Sequence, residues 1–362
     1  MLPRDVISAG PLVLRPPVEA DAEAIVAACD DPEAAGWLSL PSPYTPDDAR
    51  AYLASAADRW RDGGAEFAIT EGGARVGSVG VRPPDRWGAV EMGYLVAPAA
   101  RGRGVATGAV RAVTRWLFDQ GVHRVELQVA VENVAGLGVA YRAGFREEGR
   151  RREVRVARDG RRVDVIELSR LAGDPGEGEP PYLPPFKGGE LTDGVVRLTP
   201  LDVADAADFH AMMAEPSVAA YRFGPATTPE DDERRCRNTG YWWVSGQRVE
   251  LAVRDAASGG FAGQLQLVQV APTLGQAAVG YCLRSEFRGR GFMTRAVRLL
   301  VDWAFGHTPL HRIVAGTNAR NTASHAVLTR AGFERECVHR ELFPGADGTR
   351  SDDVQWVRLR PR

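Results

Sequence analysis

The sequence predicts an α/β protein built from two tandem domains, each with a central sheet flanked by helices. The first observation is length, because 362 residues are about twice the size of a common single domain. The second is a repeat: "RGRGVATGAVRAVTRW", starting at Arg101, returns as "RGRGFMTRAVRLLVDW" from Arg288, with nine identities in sixteen positions. The third is an alternation of helical and strand patterns in both halves. An offset of 187 residues is too long for a solenoid repeat, so we expect domains at 1–170 and 195–362.

The same order of elements is predicted in both halves. Apolar residues recur at three- and four-residue steps over 21–31 and 204–215, as they do in amphipathic helices. Two hairpin strands follow, then a strand, a glycine-rich turn and a helix; a further strand, a short helix and a last hairpin close each half. The aromatic segment "YWW" at 241–243 has a counterpart in Trp60 of the first half, which favours packing in a core or interface over stacking on a substrate.

Residues 171–194 are predicted to connect the domains. The segment "LAGDPGEGEPPYLPPFKGGELTDG" is dense in Pro and Gly, which disfavour helix and strand. Its "PPYLPPF" centre is apolar enough to lie against a domain surface in an extended form. We therefore expect the connection to pack against a domain surface rather than to be a free tether.

Composition excludes several classes of protein. A net charge of −2 gives no overall attraction for nucleic acid, and no apolar run is long enough for a membrane span. The first residues lack a secretory pattern, so the cytoplasm is the expected location. The four cysteines show no C-x-x-C spacing, and Pro309 interrupts the pair His307 and His311, so no metal site is expected.

The glycine-rich turn has the order of elements that an anion site needs. The first turn of a helix has unpaired backbone N–H groups and the positive end of the helix dipole. Gly102 and Gly104, like Gly289 and Gly291, permit close approach of a phosphate to the backbone. The neighbouring arginines add charge. The alternative is a turn that only connects a strand to a helix.

At these residues both halves resemble the GNAT superfamily of acyl-CoA-dependent N-acetyltransferases. The family's pyrophosphate loop reads Q/R-x-x-G-x-G/A; Arg101 to Ala106 matches it fully, and Arg288 to Met293 departs at the last position. Further motifs, among them "E-x-G-Y" at Glu91 and N-x-x-S before "AGF", resemble the RimJ/RimL group that acetylates ribosomal-protein N-termini. The resemblance implies a mixed, mostly antiparallel sheet in each domain and acetyl-CoA as cosubstrate.

The resemblance also implies the residues that contact acetyl-CoA in each half. In the first half these are Leu95, Val96, Arg101, Gly102, Arg103, Gly104, Val105, Ala106, Thr107 and Asn133. In the second half they are Cys282, Leu283, Arg288, Gly289, Arg290, Gly291, Phe292, Met293, Thr294, Asn321 and Ser324. The implied donor to the thioester oxygen is a backbone N–H around Leu95-Val96 in the first half or Cys282-Leu283 in the second.

Three side chains are candidates for acid–base chemistry. Glu91 resembles the family's strand carboxylate and is the candidate general base; the alternative is a carboxylate satisfied by a neighbouring Arg or Tyr. Its counterpart in the repeat is Ala278. Ser324 is the candidate proton donor to the thiolate in the second half. In the first half Tyr141 is a candidate, although a structural role is favoured.

The resemblance implies an acetyl-CoA-dependent N-acetyltransferase, in which a primary amine attacks the thioester directly. The acceptor is a protein N-terminus or a small molecule, and nucleic acid and membrane are not expected partners. Two alternatives stay open: an antibiotic-modifying or thiol-biosynthesis acetyltransferase, and a non-catalytic acyl-CoA-binding module. We expect a monomer with pseudo-dimeric domains or a homodimer.

Overall fold

The fold is taken from a computed structural model that describes residues 2–38, 40–157, 159–176, 178, 180–222, 224–344 and 348–362. The chain divides into two compact units, Met1–Pro180 and Pro181–Arg362. In the described part of the chain, no helix is both long enough and apolar enough to cross a membrane. Those residues also contain no cluster of three or more His, Cys, Asp or Glu side chains that could hold a metal ion.

The first unit contains eight strands and five α-helices among its described residues. Its strands are β1 (Ile7–Ala9), β2 (Leu12–Arg15), β3 (Ala65–Glu71), β4 (Ala74–Val81), β5 (Val90–Val96), β6 (Arg124–Ala130), β7 (Arg146–Val156) and β8 (Arg162–Leu171). Its helices are α1 (Ala22–Cys29), α2 (Pro32–Trp37), α3 (Pro46–Arg61), α4 (Val105–Asp119) and α5 (Val134–Arg142).

The second unit repeats this order. Its strands are β9 (Leu191–Thr192), β10 (Val196–Pro200), β11 (Val249–Asp255), β12 (Phe261–Ala271), β13 (Gln276–Leu283), β14 (Arg312–Asn318), β15 (Glu334–Pro344) and β16 (Arg350–Leu359). Its helices are α6 (Ala206–Ala214), α7 (Pro216–Ala219), α8 (Pro229–Val244), α9 (Phe292–His307) and α10 (Thr322–Arg330).

The sheet order confirms the predicted fold class. It is β1-β2-β3-β4-β5-β6-β8-β7 in the first unit and β9-β10-β11-β12-β13-β14-β16-β15 in the second. Only β5 with β6 and β13 with β14 pair in parallel among the described strands. Each sheet is therefore mixed and mostly antiparallel, with its parallel pair at the centre.

Local sequence signals explain where the long helices begin. Thr45 and Asp48 form a capping box at the start of α3, and Thr228 and Asp231 do so at α8. Such a box satisfies two backbone N–H groups that a helix start leaves unpaired. A Pro follows each capping Thr, where its missing N–H costs nothing.

An aromatic trio fills the same place in each core. In the first unit Trp60, Trp116 and Phe67 pack edge to face, with Phe67 5.2 Å from each tryptophan. In the second unit Trp243 and Trp303 take the equivalent positions, and the third ring is Phe186, at 4.8 and 5.0 Å. The predicted packing role of Trp60 and Trp243 is therefore observed.

Part of the segment predicted as a connection lies inside the second unit. Leu183 is fully buried and Phe186 is 5% exposed, both within the core cluster of that unit. The indole of Trp243 donates a hydrogen bond to the carbonyl of Leu183 at 3.0 Å, and β9 pairs with β10 at Leu191. The structured second unit thus begins before residue 195, because the apolar "PPYLPPF" supplies core side chains.

Candidate active site

A cleft opens in the middle of each sheet, where the two parallel strands separate. Strands β5 and β6 pair only at Val90 with Val125 and Glu91 with Glu126. The second unit behaves alike, since β13 and β14 pair over three residues from Gln276 and then part. The carboxyl half of β5, and of β13, therefore has a strand neighbour on one side only.

Alternation of the antiparallel ladder fixes which backbone groups face each cleft. The N–H of Ala97 donates to Val76 at 2.9 Å, so on β5 every second residue counted back from Ala97 bonds to β4. Tyr94 and Val96 consequently turn their backbone groups towards the cleft. In the second unit the N–H of Arg284 donates to Ala262 at 2.9 Å, so Tyr281 and Leu283 face the cleft.

A glycine turn beside each cleft leads into a helix that has no side-chain cap. Gly102 and Gly104 have φ values of 72° and 81°, and Gly289 and Gly291 have 73° and 78°, in the left-handed region that glycine adopts most readily. No side chain caps α4 or α9, in contrast to α3 and α8. The first N–H groups of both helices are therefore available to an anion.

The residues of both turns fit a phosphate-bearing cosubstrate through their backbone. The added Cβ of any of these four glycines would meet nothing within 4 Å, so the space in front of the turns is open. The side chains that follow point into the core, since Val105, Thr107, Phe292, Met293 and Thr294 are buried. These residues can reach acetyl-CoA by their N–H groups alone.

The arginines of the two turns have different surroundings. Arg101 pairs with Asp31 and with Glu33, the latter at 2.6 Å, and Arg103 pairs with Glu71. The guanidinium of Arg101 also holds the pKa of Asp31 below its usual range, chiefly through their hydrogen bond. Three carboxylates thus already pair with the two arginines whose positive charge was predicted to bind phosphate.

In the second unit the turn arginines contact backbone and aromatic rings. Arg288 donates to the carbonyl of Leu283 at 3.1 Å through Nη2, and Arg290 lies over the rings of Phe287 and Phe292 at 5.4 and 4.8 Å. No ion pair of Arg288 or Arg290 is found among the described residues. The positive charge of this turn is therefore more available to an anion than that of the first.

Asn133 and Asn321 cap the short helices beside the clefts. The Oδ1 of Asn133 accepts the N–H of Gly136 at 2.9 Å, and that of Asn321 accepts the N–H of Ser324 at 3.1 Å. Each asparagine thus has a structural role as an N-cap, and its amide Nδ2 is the atom left for a contact with acetyl-CoA.

Two tyrosines join the cleft strands to these helices, and the sequence analysis did not select them. The hydroxyl of Tyr94 donates to the carbonyl of Gly136 at 2.8 Å, and the hydroxyls of Tyr281 and Ser324 lie 2.7 Å apart. Burial raises the pKa of Tyr281 to about 12, so its hydroxyl stays protonated. The signal was present in the sequence, since both tyrosines follow the glycine of a "GY" pair.

The two other predicted side chains of the first unit have partners. Glu91 is 27% exposed and lies 3.5 Å from Nε of Arg82, an arginine that follows the end of β4, so the alternative of a carboxylate next to a neighbouring arginine stays open. The hydroxyl of Tyr141 donates to Glu147 at 2.7 Å. Glu91 remains on the cleft strand β5, whereas Tyr141 is bonded to the edge strand β7.

The second unit has Ala278 at the position of Glu91, and its acidic side chains Glu215 and Asp353 have other surroundings. Glu215 accepts the N–H of Ser285 at 3.0 Å, so it holds the loop before α9. Asp353 is buried, its Oδ1 has no hydrogen-bond partner in the described part of the chain, and Nδ1 of His339 lies 3.4 Å from its Oδ2.

A second feature missed from the sequence is a glutamate buried in the same strand position of each unit. Glu66 on β3 and Glu250 on β11 are 2% and 1% exposed. Glu66 pairs with Arg59 and accepts the hydroxyl of Tyr52 at 2.5 Å, and burial raises its pKa. A charged residue inside an otherwise apolar strand was the available signal.

Comparison with known proteins identifies the family. The model of the acetyltransferase (GNAT) domain matches residues 11–146 and 196–334. YjcK of Bacillus subtilis (strain 168), named a probable N-acetyltransferase, is 31% identical over 157 residues, which are 42% of this chain and 87% of that protein.

Two solved structures resemble about half of the chain. The ribosomal-protein-S5-alanine acetyltransferase of Vibrio fischeri is 22% identical with a TM-score of 0.44, covering 47% of this chain and 96% of its own. Mycobacterium smegmatis RimJ in complex with CoA-disulfide is 25% identical with a TM-score of 0.43, covering 47% and 86%.

The family model thus covers most of the chain and does so in both units. A relative that is matched over most of its own length carries an N-acetyltransferase name. The chain therefore belongs to the GNAT acetyltransferase family and is an acyltransferase that carries the family's domain twice.

Proposed function

We propose that the protein transfers the acetyl group of acetyl-CoA to a primary amine. The observation that carries this proposal is the cleft beside an uncapped helix start, present in both units. The N–H groups of the turn and helix bind the pyrophosphate. The free backbone edge of β5 or β13 pairs with the amide groups of the pantetheine arm, as a neighbouring strand would.

The residues of the cleft supply the remaining requirements of acetyl transfer. The N–H of Val96 or Leu283 donates to the thioester oxygen, where negative charge develops as the amine nitrogen attacks the carbonyl carbon. The carbon–sulfur bond then breaks and the thiolate leaves. In the first unit Glu91, directly or through water, takes the proton that the amine loses.

The second unit holds a candidate donor to the leaving thiolate. Ser324 lies 2.7 Å from the hydroxyl of Tyr281. A proton passed from Ser324 to sulfur can be replaced from this tyrosine, which regains its own proton from water. The acceptor is a protein N-terminus or a small-molecule amine. An acyl-CoA-binding module without turnover is the second candidate, favoured by the missing carboxylate at Ala278.

Calorimetric titration of acetyl-CoA, followed by thiol release with a panel of amines, tests the proposal. We expect binding by both units and amine-dependent release of CoA thiol. Gly104→Val and Gly291→Val assign the sites, because a β-branched residue is strained at φ values of 81° and 78° and each variant should lose one site. Absence of binding contradicts the acetyltransferase; binding without thiol release for any amine favours the module.

A further inference from the structure

One row of residues crosses each sheet from the buried glutamate to the cleft strand. In the first unit Glu66 is paired with Gly80, and Gly80 with Gly93. In the second unit Glu250 is paired with Gln266, and Gln266 with Gly280. Directly paired residues of neighbouring strands share a face, so the middle position of this row is glycine in one unit and glutamine in the other.

In the first unit the middle residue, Gly80, has no side chain that could cover the neighbouring residue of the cleft strand, Gly93. A Cβ on Gly80 would lie 2.6 Å from Nη1 of Arg59 and 2.6 Å from Oε2 of Glu66, so this ion pair lies directly over Gly80. A Cβ on Gly93 would meet nothing within 4 Å, and Gly93 is exposed. The strand surface at Gly93 is therefore an open floor beside the cleft.

In the second unit the glutamine covers that floor. The guanidinium of Arg235 donates to Oε1 of Gln266 at 3.2 Å while it also binds Glu250, which fixes the orientation of the amide. A Cβ on Gly280 would lie only 2.8 Å from Nε2 of Gln266. The space that is open over Gly93 is occupied over Gly280.

We propose that the residue at this middle position decides which unit admits the amine: Gly80 opens the first unit to the acceptor, and Gln266 closes the second. The proposal rests on the proposed acetyl transfer and assigns its acceptor site. The amine lies over Gly93, next to the thioester that is held along Tyr94 and Val96. The second unit binds acetyl-CoA without an acceptor at the corresponding place.

The charges around Gly93 suit a primary amine that arrives as an ammonium ion. Glu91 precedes Gly93 by two residues, so its side chain lies on the same face of β5. It is partly exposed, and its one ion pair in the described part of the chain, to Arg82, is long at 3.5 Å and involves a largely exposed arginine. Arg59 and Glu66 compensate each other on the opposite side of the floor. Glu91 is therefore the carboxylate placed to attract the ammonium ion, which loses one proton to water before it attacks, and to take the second proton as the amide forms. Its counterpart Ala278 has no charge, in keeping with a closed floor.

Gly93→Val is the decisive variant, because its side chain enters open space and leaves the fold intact. We expect kcat/KM for the amine to fall on the order of a hundredfold, since small displacements of a reactant have effects of that size, with unchanged acetyl-CoA affinity at both sites. Gly149→Val, whose Cβ also meets nothing, is the matched control on β7 and should keep full turnover. Gln266→Ala should not reduce turnover.

The opposite pattern overturns the proposal: full turnover in Gly93→Val together with loss in Gln266→Ala places the acceptor in the second unit. A second readout needs no turnover. Thiols introduced by Gly93→Cys and by Gly280→Cys are labelled with a maleimide and quantified by peptide mass spectrometry. Faster labelling at position 93 supports the open floor, and equal or reversed rates contradict it. A wild-type protein that acetylates no amine refutes the proposed function, while these labelling rates still decide the asymmetry.

Discussion

Phe186→Ala tests whether a ring from outside the predicted domain holds the second unit together. Phe186 is 5% exposed and packs edge to face on Trp243 and Trp303. Removing a buried Phe side chain costs about 3–5 kcal/mol, which includes the cavity that is left. We expect the free energy of unfolding of the second unit to fall by about 4 kcal/mol.

Hydrogen exchange measured by mass spectrometry over a urea series reports each unit separately. Amides of β11–β14 should lose protection at lower urea in Phe186→Ala, while those of β3–β6 should not change. Phe67→Ala is the matched control, because Phe67 is the third ring of the trio in the first unit and should reverse the pattern. A shift below about 0.5 kcal/mol in the second unit, within the range of surface substitutions, would refute the reasoning.

Three further changes have defined outcomes. Hydrogen bonds from Arg124 and Ser169 lower the pKa of Glu148 to about 2. The charged carboxylate of Glu148 therefore stabilises the first unit at pH values above 4.5, the usual pKa of this group. That contribution is lost as the pH falls from 4.5 towards 2, so the urea midpoints of wild type and Glu148→Gln should converge on acidification; constant separation contradicts this. Glu250→Ala leaves Arg235 and Arg248 without their buried partner and should cost about 3 kcal/mol, seen as an earlier urea transition of the second unit; an unchanged transition would show that both arginines reach water. Thr45→Ala removes the cap of α3 and should lower stability by about 1 kcal/mol, measured by thermal unfolding, with no effect if the helix start is already frayed.

Repetition within the chain made the outline of the fold predictable. Each weak signal, such as the glycine turn at Gly104, occurs again 187 residues later at Gly291, and its context of strand and helix recurs with it. Local chemistry fixes these features, since a left-handed glycine before an uncapped helix depends on neighbours in sequence. The same reasoning predicted core or interface packing for Trp60 and for the segment 241–243, and Trp60 and Trp243 lie in the two cores.

The features that distinguish the units depend on residues that are distant in sequence. Arg101 is neutralised by Asp31 and Glu33, about 70 positions earlier, and no pattern around the turn indicates these partners. The row from Glu66 to Gly93 depends on the register of three strands. Phe186 was assigned to a connection because Pro and Gly surround it, yet its ring is buried by tertiary packing.

The cleft also divides each sheet into two parts that are joined over a short boundary. This boundary has two residue pairs in the first unit and three in the second, whereas the pairings of the same strands with their other neighbours are longer. Fewer backbone hydrogen bonds cross this short boundary than cross the longer ones beside it, so separating the strands costs least there. The first unit has the shorter boundary, so a change in the width of its cleft would break fewer backbone hydrogen bonds than the same change in the second unit.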